Sequence, residues 1–119
     1  MKKILVFGSN TQGRHGKGAA LEAKEKWGAI YGKPRGLQGS SYAIVTKELR
    51  TVEPSVTKDQ IKQQVDAFLS FAKYKPDWTF ILTPIGCGLA GFTPDQIGPM
   101  FRNAPSNIEI PKEFQQYVQ

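Results

Sequence analysis

The stretch Pro84-Ile85-Gly86-Cys87-Gly88-Leu89-Ala90-Gly91-Phe92 decides the fold of this 119-residue chain. It follows an apolar run, Trp78 to Leu82, and precedes Thr93-Pro94-Asp95-Gln96, which has the pattern of a helix N-terminus. A strand that leads into a glycine-rich loop and then a helix brings backbone N–H groups and the positive end of a helix dipole to one place. The stretch therefore predicts a binding site for a phosphate.

A second unit of the same kind opens the chain. Lys3 to Phe7 is largely apolar and predicts a buried strand, and Gly8 to Gly18 follows as a loop with four glycines. The next helix is indicated by apolar residues at helical spacing and a closing glycine: Ala19, Ala20, Ala23, Trp27 and Gly28. Two such units place two helix N-termini beside the ends of two strands, where open α/β sheets bind ligands.

The remaining segments predict further elements of an α/β protein. Strands are expected at Tyr42 to Thr46 and at Asn107 to Ile110. Thr57 is expected to begin a helix, because it opens a capping box and an apolar stripe follows. Residues 30–41 are expected to form a long connection, and residues 111–119 a tail.

Composition narrows the class of protein. With 39% apolar residues, residues 1–119 fit one soluble globular domain. The net charge of +6 favours an anionic partner, or simply a solvated basic surface. No apolar run approaches the roughly 20 residues that span a bilayer, so no membrane is expected. One cysteine, Cys87, and one histidine, His15, argue against a metal site and favour the cytoplasm, and no resident cofactor is expected.

One sequence motif suggests another class of nucleotide-binding protein, and the motif of a further class is lacking. Residues 86–91 match the dinucleotide fingerprint GxGxxG, with Glu109 as the ribose-binding acid of a dehydrogenase. Against this, the helix begins after the glycines, at Thr93, and too few residues follow Gly91 for the rest of a Rossmann sheet. The Gly13 to Gly18 segment lacks the Gly-Lys-Ser/Thr of a P-loop, so ATP hydrolysis has no sequence support.

Two reactive side chains each allow two interpretations. Cys87 is either an activated thiol beside a helix N-terminus or a small residue that fits a tight loop, and we favour the second. His15, beside Arg14 and Lys17, is either a general base or a loop residue. The sequence shows no paired-carboxylate motif and no nucleophilic-serine signature.

The two glycine loops together resemble those of a known family. Gly-Ser-Asn-x-x-Gly-x-x-Gly-x-Gly-Ala-Ala at residues 8–20, with Ile85-Gly86-Cys87-Gly88-Leu89 after a late strand, is similar to the macro domain. Within that family the chain looks most like the branch of the terminal ADP-ribose protein glycohydrolase and like small macro-like proteins of bacteria and phages. The resemblance runs from about Ile4 to Phe101. It implies a three-layer α/β/α fold with a central mixed sheet that binds ADP-ribose.

The resemblance also implies which residues bind the ligand. The first loop would line the distal ribose and its surroundings with Gly8, Ser9, Asn10, Gly16, Lys17 and Gly18. The second loop would give backbone amides and a lid to the diphosphate: Ile85, Gly86, Cys87, Gly88, Leu89, Ala90, Gly91 and Phe92. A C-terminal aromatic residue, Phe114 or Tyr117, would stack on the base.

Catalysis in the glycohydrolase branch uses a lysine on the helix after the first loop and an acid in the second loop. Lys24 stands where that lysine is expected, and Asn10 and His15 are further catalytic candidates. The position of the acid is occupied by Ala90. Loss of such a group removes a proton-transfer role worth about 10²- to 10⁴-fold.

Two functions of different classes follow from the resemblance. One is an enzyme that hydrolyses ADP-ribosyl linkages in a protein, a nucleic acid or a small molecule. The other, which Ala90 favours, is a non-catalytic protein that senses or sequesters an NAD-derived signalling nucleotide. A basic protein that binds a nucleic acid directly is a third alternative.

Overall fold

The computed structural model describes residues 2–48, 56–88 and 90–119, which form a mixed sheet with helices on both faces. The strands are β1 Lys2–Asn10, β2 Gly36–Gln38, β3 Ser41–Lys47, β4 Trp78–Leu82 and β5 Ile108–Glu109. They lie in the order β2-β3-β1-β4-β5. Only the β2–β3 pair is antiparallel among the four described pairings. The predicted α/β class with a mixed central sheet is confirmed.

Capping boxes in the sequence precede only the second and third of the described helices. The helices are α1 Gly18–Lys26, α2 Lys58–Lys73, α3 Pro94–Ile97 and α4 Lys112–Gln115, with a 3₁₀ turn at Gly98–Phe101. At the start of α2, the Thr57 hydroxyl accepts from the Gln60 amide at 3.1 Å, and the Gln60 side chain accepts from the Thr57 amide at 2.9 Å. None of the described helices is long and apolar enough to cross a membrane.

The alternation of side chains along β1 divides the core into two layers. Leu5 and Phe7 belong to a buried cluster with Ala20 and Ala23 of α1. Their neighbours on the opposite face of the strand belong to a larger cluster that includes residues of α2 and α4: Ile4, Val6, Ile61, Val65, Phe68 and Phe114. Because helices cover both faces, β1 can be apolar without interruption.

The segment from residue 30 to 41 contains a strand that the sequence did not reveal. β2 lies within it, and the buried Gln38 explains why the pattern was hidden. Its carboxamide accepts from the Ile30 amide at 2.8 Å and donates to the Lys33 carbonyl at 3.1 Å. The interpretation of this segment as a simple connection was wrong. The polar Gln38 side chain, which is satisfied by backbone partners, gives the strand the polar sequence pattern that is typical of a loop.

The predicted tail is part of the core. α4 brings Phe114 to full burial, with its ring stacked on that of Phe101 at 5.9 Å between centroids. Phe114 is therefore not available to stack on a base, so the prediction was wrong for this one of the two aromatic residues. Tyr117 packs against Gly98, where an added methyl group would lie only 2.9 Å from the tyrosine Cβ.

Candidate functional site

A crevice of about 790 Å³ opens where the carboxyl ends of β1, β3 and β4 meet. This is the edge at which open α/β sheets bind ligands, and the volume is within the usual range for small-molecule sites. The lining residues come from the strand ends, the N-terminus of α1 and both glycine-rich loops: Gly8, Ser9, Asn10, Arg14, Gly16, Lys17, Gly18, Ala19, Ala20, Thr46, Lys47, Thr83, Pro84, Ile85, Gly86, Cys87, Gly88 and Ala90.

The two loops meet at Gly8. A methyl group added there would lie 3.6 Å from the Gly86 nitrogen and 3.7 Å from the Ile85 Cα. It would also lie 3.3 Å from the Thr46 Oγ1. The end of β1 therefore runs directly beside the second loop, and glycine at this position leaves the Gly86 amide uncovered on that side.

Asn10 shapes the first loop. Its Nδ2 donates to the Arg14 carbonyl at 2.9 Å, and its Oδ1 accepts from the amides of Gln12 and Arg14 at 3.3 and 2.9 Å. These bonds fold residues 10–14 into a turn that includes Gly13 at φ 66°. The Asn10 side chain lines the crevice, but its polar atoms are committed to the backbone, which indicates a structural role for them.

The N-terminus of α1 faces the crevice without a cap. The N-cap residue, Lys17, makes no side-chain capping bond, and the first turn contains no acidic residue. Among the described residues, no acceptor is found for the amides of Gly18, Ala19 and Ala20, and all three residues line the crevice. Free first-turn amides at the positive end of a helix dipole favour an anion.

The second loop also offers free amides. Some of its N–H groups close the loop on itself, such as that of Phe92, which donates to the Gly86 carbonyl at 2.9 Å. The amides of Gly86, Gly88 and Ala90 have no acceptor in the described part of the chain. Gly86 adopts φ 77°, a conformation that glycine reaches at little cost. The second loop thus contributes a second group of donors to the lining of the crevice.

The charge of the crevice is positive. Arg14, Lys17 and Lys47 line it, and no carboxylate does so within residues 2–48, 56–88 and 90–119. Cations without neighbouring acids, beside free backbone amides, create a field that attracts anions. The arrangement suits a ligand with phosphate groups.

The environment of Cys87 does not activate its thiol. The Sγ atom lies 3.5 Å from the Ile85 carbonyl, to which it donates. Burial is the main cause that raises the pKa of Cys87, and the carboxylates of Glu113 and Asp95 raise this pKa further. Since nucleophilic thiols need a lowered pKa, these facts favour the interpretation of Cys87 as a residue that fits the tight loop.

Two of the three catalytic candidates lie away from the crevice. His15 is fully buried, with its ring edge-on to Phe7 at 5.1 Å between centroids. Lys24 is exposed on α1, and its Nζ lies 5.2 Å from the centre of the Tyr31 ring. Neither lines the crevice, so the structure does not bring the predicted catalytic group of Lys24, Asn10 and His15 together there.

The second half of the later loop also turns away. Phe92 packs against the core and would contact a Cβ at Gly86 at 3.5 Å, so this ring does not form a lid over the crevice. Gly91 is exposed and does not line the crevice, and Leu89 lies outside the described residues. α3 does not contribute its N-terminus either, because none of its residues lines the crevice. The expected helix dipole comes from α1 instead.

Sequence reasoning missed the contribution of β3. Thr46 and Lys47 at its carboxyl end line the crevice, and the Thr46 hydroxyl donates to the Ser9 carbonyl at 3.3 Å. The end of β4 also contributes Thr83 and Pro84. The parallel pairing of β1 with β3 brings their carboxyl ends to one edge of the sheet. A single sequence does not state which strands are neighbours, so it contained no signal of this contribution.

A second groove, of about 640 Å³, lies between β3 and α2. It contains the carboxylate of Glu48, and the Gln64 side chain in it is bonded to both the amide and the carbonyl of Val45, at 2.7 and 2.8 Å. Arg35 also lines this groove, but both glycine loops, the free amides and three cations belong to the larger crevice, so the candidate site is placed there.

Comparisons with known proteins support the fold. No family model matches the sequence, and no curated protein matches it significantly. The chain is similar to a solved structure, that of a protein of unknown function from Bacteroides thetaiotaomicron. The TM-score is 0.61 and the identity 18%, over 85% of this chain and 78% of that one. At this level of identity the likeness concerns the α/β fold alone.

Proposed function

We propose that this protein is a macro-type domain that binds ADP-ribose, or a related ADP-ribosyl nucleotide, in the crevice and does not hydrolyse it. The observation that carries the proposal is the presence of two groups of backbone donors, from two different segments of the chain, in the lining of one crevice. One consists of the amides at Gly18 to Ala20, and the other of the amides at Gly86, Gly88 and Ala90. In this account the protein senses or sequesters an NAD-derived nucleotide in the cytoplasm.

A diphosphate satisfies such a pair better than a single phosphate does. It has two anionic groups that can accept from both groups of donors at once, and Arg14, Lys17 and Lys47 balance its charge. Hydrogen bonds to charged groups contribute about 1.5–3 kcal/mol each. The lining of small residues such as Ala19, Ala20 and Gly88 leaves room for a sugar beside the phosphates.

Within the described residues, the crevice lining contains no carboxylate and no histidine, which favours binding over hydrolysis. A general acid or base must lie within hydrogen-bond reach of the reacting atoms. In the described part of the crevice there is no carboxylate, and Ala90 occupies the position where the glycohydrolase branch has its acid. The Nζ of Lys24 is held over Tyr31, away from the crevice.

Isothermal calorimetry with ADP-ribose, followed by chromatography of the recovered ligand, tests the proposal. We expect one site per chain and ADP-ribose recovered intact after long incubation. AMP and ribose 5-phosphate, which each lack one of the two bridging phosphates, should bind more weakly. At 100 times its Kd, the ligand should raise the free energy of unfolding by about 2.7 kcal/mol.

The proposal is contradicted if no ADP-ribosyl compound binds measurably. Release of free ADP-ribose from a modified protein or nucleic acid would replace it with the hydrolase function.

A further inference from the structure

His15 lies behind the cationic wall of the crevice. Its neighbours in sequence, Arg14 and Gly16, line the crevice, whereas the His15 side chain is fully buried on the other side of the loop. The ring packs edge-on against Phe7 of β1. The side chain therefore connects the back of the first loop to the interior.

The two ring nitrogens of His15 have different surroundings. Nε2 lies 3.1 Å from the Lys33 carbonyl, and because a carbonyl only accepts, Nε2 is the nitrogen that donates. Nδ1 is buried and has no partner among the described residues. A buried polar atom without a partner lowers stability, so stability alone does not account for a histidine here.

A second bond fixes the same two segments to each other. The Gly32 amide donates to the Gly13 carbonyl at 2.8 Å. A methyl group added at Gly13 would lie 2.6 Å from the Lys33 nitrogen, so the two backbones are in direct contact. The turn at residues 30–33 thus supports the first loop from behind at two points, of which His15 is the one nearer to Lys17.

We infer that His15 is a positioning residue, which holds Arg14 and Lys17 at the crevice by fixing the back of the loop to Lys33. This inference rests on the proposed function, since it assigns His15 a role in the affinity of that same crevice. His15 does not touch the ligand, and it takes no part in proton transfer.

The substitution His15→Phe separates positioning from stability. Phenylalanine keeps a ring against Phe7 and removes the unpartnered Nδ1. The Lys33 carbonyl keeps a donor, because the Gln38 Nε2 also bonds to it at 3.1 Å. We expect thermal stability equal to or above that of the wild type and a Kd for ADP-ribose raised about tenfold, the order of effect of a slightly misplaced binding group.

His15→Gln is the conservative control. Its Nε2 can reach the Lys33 carbonyl in place of the histidine Nε2, so we expect affinity close to that of the wild type even if stability falls. A purely structural role predicts the opposite order, with affinity following stability in both variants. The inference is overturned if His15→Phe binds ADP-ribose as the wild type does, or if its affinity falls only together with its stability.

Hydrogen exchange of the ligand-free proteins keeps this test independent of the proposed function. In His15→Phe we expect faster exchange of the hydrogen-bonded amides of Arg14, Gly16 and Gly32, with that of α2 unchanged, and His15→Gln should restore the slower exchange. If the wild type binds no ADP-ribose but the exchange changes as expected, the proposed function fails and the positioning role stands. Unchanged exchange in His15→Phe overturns the positioning role alone.

Discussion

The two glycine-rich loops follow strands in the same way, but the helices after them differ in how they begin. After the first loop, α1 starts at an N-cap lysine without a capping bond, and its first amides belong to residues of the crevice. After the second loop, the Gln96 side chain accepts from the Thr93 amide at 3.0 Å, and the Thr93 hydroxyl donates to Asp95. The first helix N-terminus is open to a ligand, whereas the second is satisfied by its own residues.

The difference shows that a strand, a glycine loop and a helix do not by themselves make an anion site. In the second unit the donors come from the loop, at Gly86, Gly88 and Ala90, while α3 packs towards the core through Ile97. In the first unit the loop is closed by Asn10, and the donors come from the helix. The identity of the N-cap residue decides which part of each unit is available.

Lys17→Asp should have the largest effect on this contrast. An aspartate at the N-cap accepts from the first-turn amides of α1, as Thr57 does for α2, and it places a negative charge at the crevice. We expect affinity for ADP-ribose to fall about 100-fold, while the helix gains about 0.5–2 kcal/mol from the cap. Calorimetry and chemical denaturation measure the two effects.

The matched control for this change is Lys26→Asp, in the last turn of the same helix. It makes the same charge change away from the crevice, so affinity should stay within about threefold, the size of a screened surface effect. Equal losses of affinity in both variants would mean that net charge, and not the N-terminus of α1, attracts the ligand.

Gly8→Ala should have the next largest effect, because it tests the contact between the loops. The added methyl group would lie 3.6 Å from the Gly86 nitrogen and hinder an anion that approaches this amide. We expect affinity to fall about tenfold, corresponding to the loss of one hydrogen bond to a charged group. Gly16→Ala is the control, since its methyl group would meet open space and its amide already donates to Arg14. An affinity loss in Gly16→Ala alone would contradict the account.

Lys47→Ala should weaken binding about three- to tenfold at low salt, and the difference should shrink as salt is added, because screening weakens the contribution of an exposed charge. Titrations at two salt concentrations measure this dependence.

Lys24→Ala, which removes a lysine outside the crevice, should leave affinity unchanged. If Lys24→Ala abolished turnover of an ADP-ribosylated substrate, the lysine would have to be counted as catalytic.

Gln96→Ala should affect stability but not affinity. It removes the acceptor of the Thr93 amide at the start of α3. We expect a loss of about 1 kcal/mol in the free energy of unfolding, typical of a helix cap, and an unchanged Kd for ADP-ribose. A large loss of affinity here would remove the distinction between the two helix N-termini.

The reactivity of Cys87 gives the smallest effect and a dependence on pH. Because burial, Glu113 and Asp95 raise the pKa of this thiol, less thiolate is present near pH 8 than in an ordinary cysteine. Alkylation by iodoacetamide should therefore be slower than that of a free thiol and should keep rising with pH above about 8.5, the usual thiol pKa. ADP-ribose should protect Cys87, which lines the crevice. Fast alkylation at neutral pH would contradict the raised pKa.

Much of the fold could be predicted from the sequence because its signals are local. The strand β4 and the capping box of Thr57 were placed correctly, since period, breakers and caps act over a few residues. β2 was missed because the buried Gln38 gives this short strand the polar pattern of a loop, and α4 was missed because the burial of Phe114 depends on its contact with Phe101. Local patterns do not contain that information.

The candidate site, like the fold, could be predicted only in part from the sequence. Glycines mark close backbone approach, so a crevice between the two loops followed from their sequence patterns. The burial of His15 and the contribution of Lys47 did not, because each depends on which segment lies beside it: the turn at Lys33 for His15 and the strand β1 for Lys47. Charged or polar residues in loops give no sequence signal of the side to which they turn.

Amide chemical shifts during a titration with ADP-ribose test the central claim most directly. The account predicts saturable shifts of the amides of Gly18, Ala19 and Ala20 together with those of Gly86, Gly88 and Ala90, with one common Kd. The amides of α3 and of the groove between β3 and α2 should stay in place. Shifts confined to that groove, to one loop only, or to none of these residues would contradict a diphosphate held between the two loops.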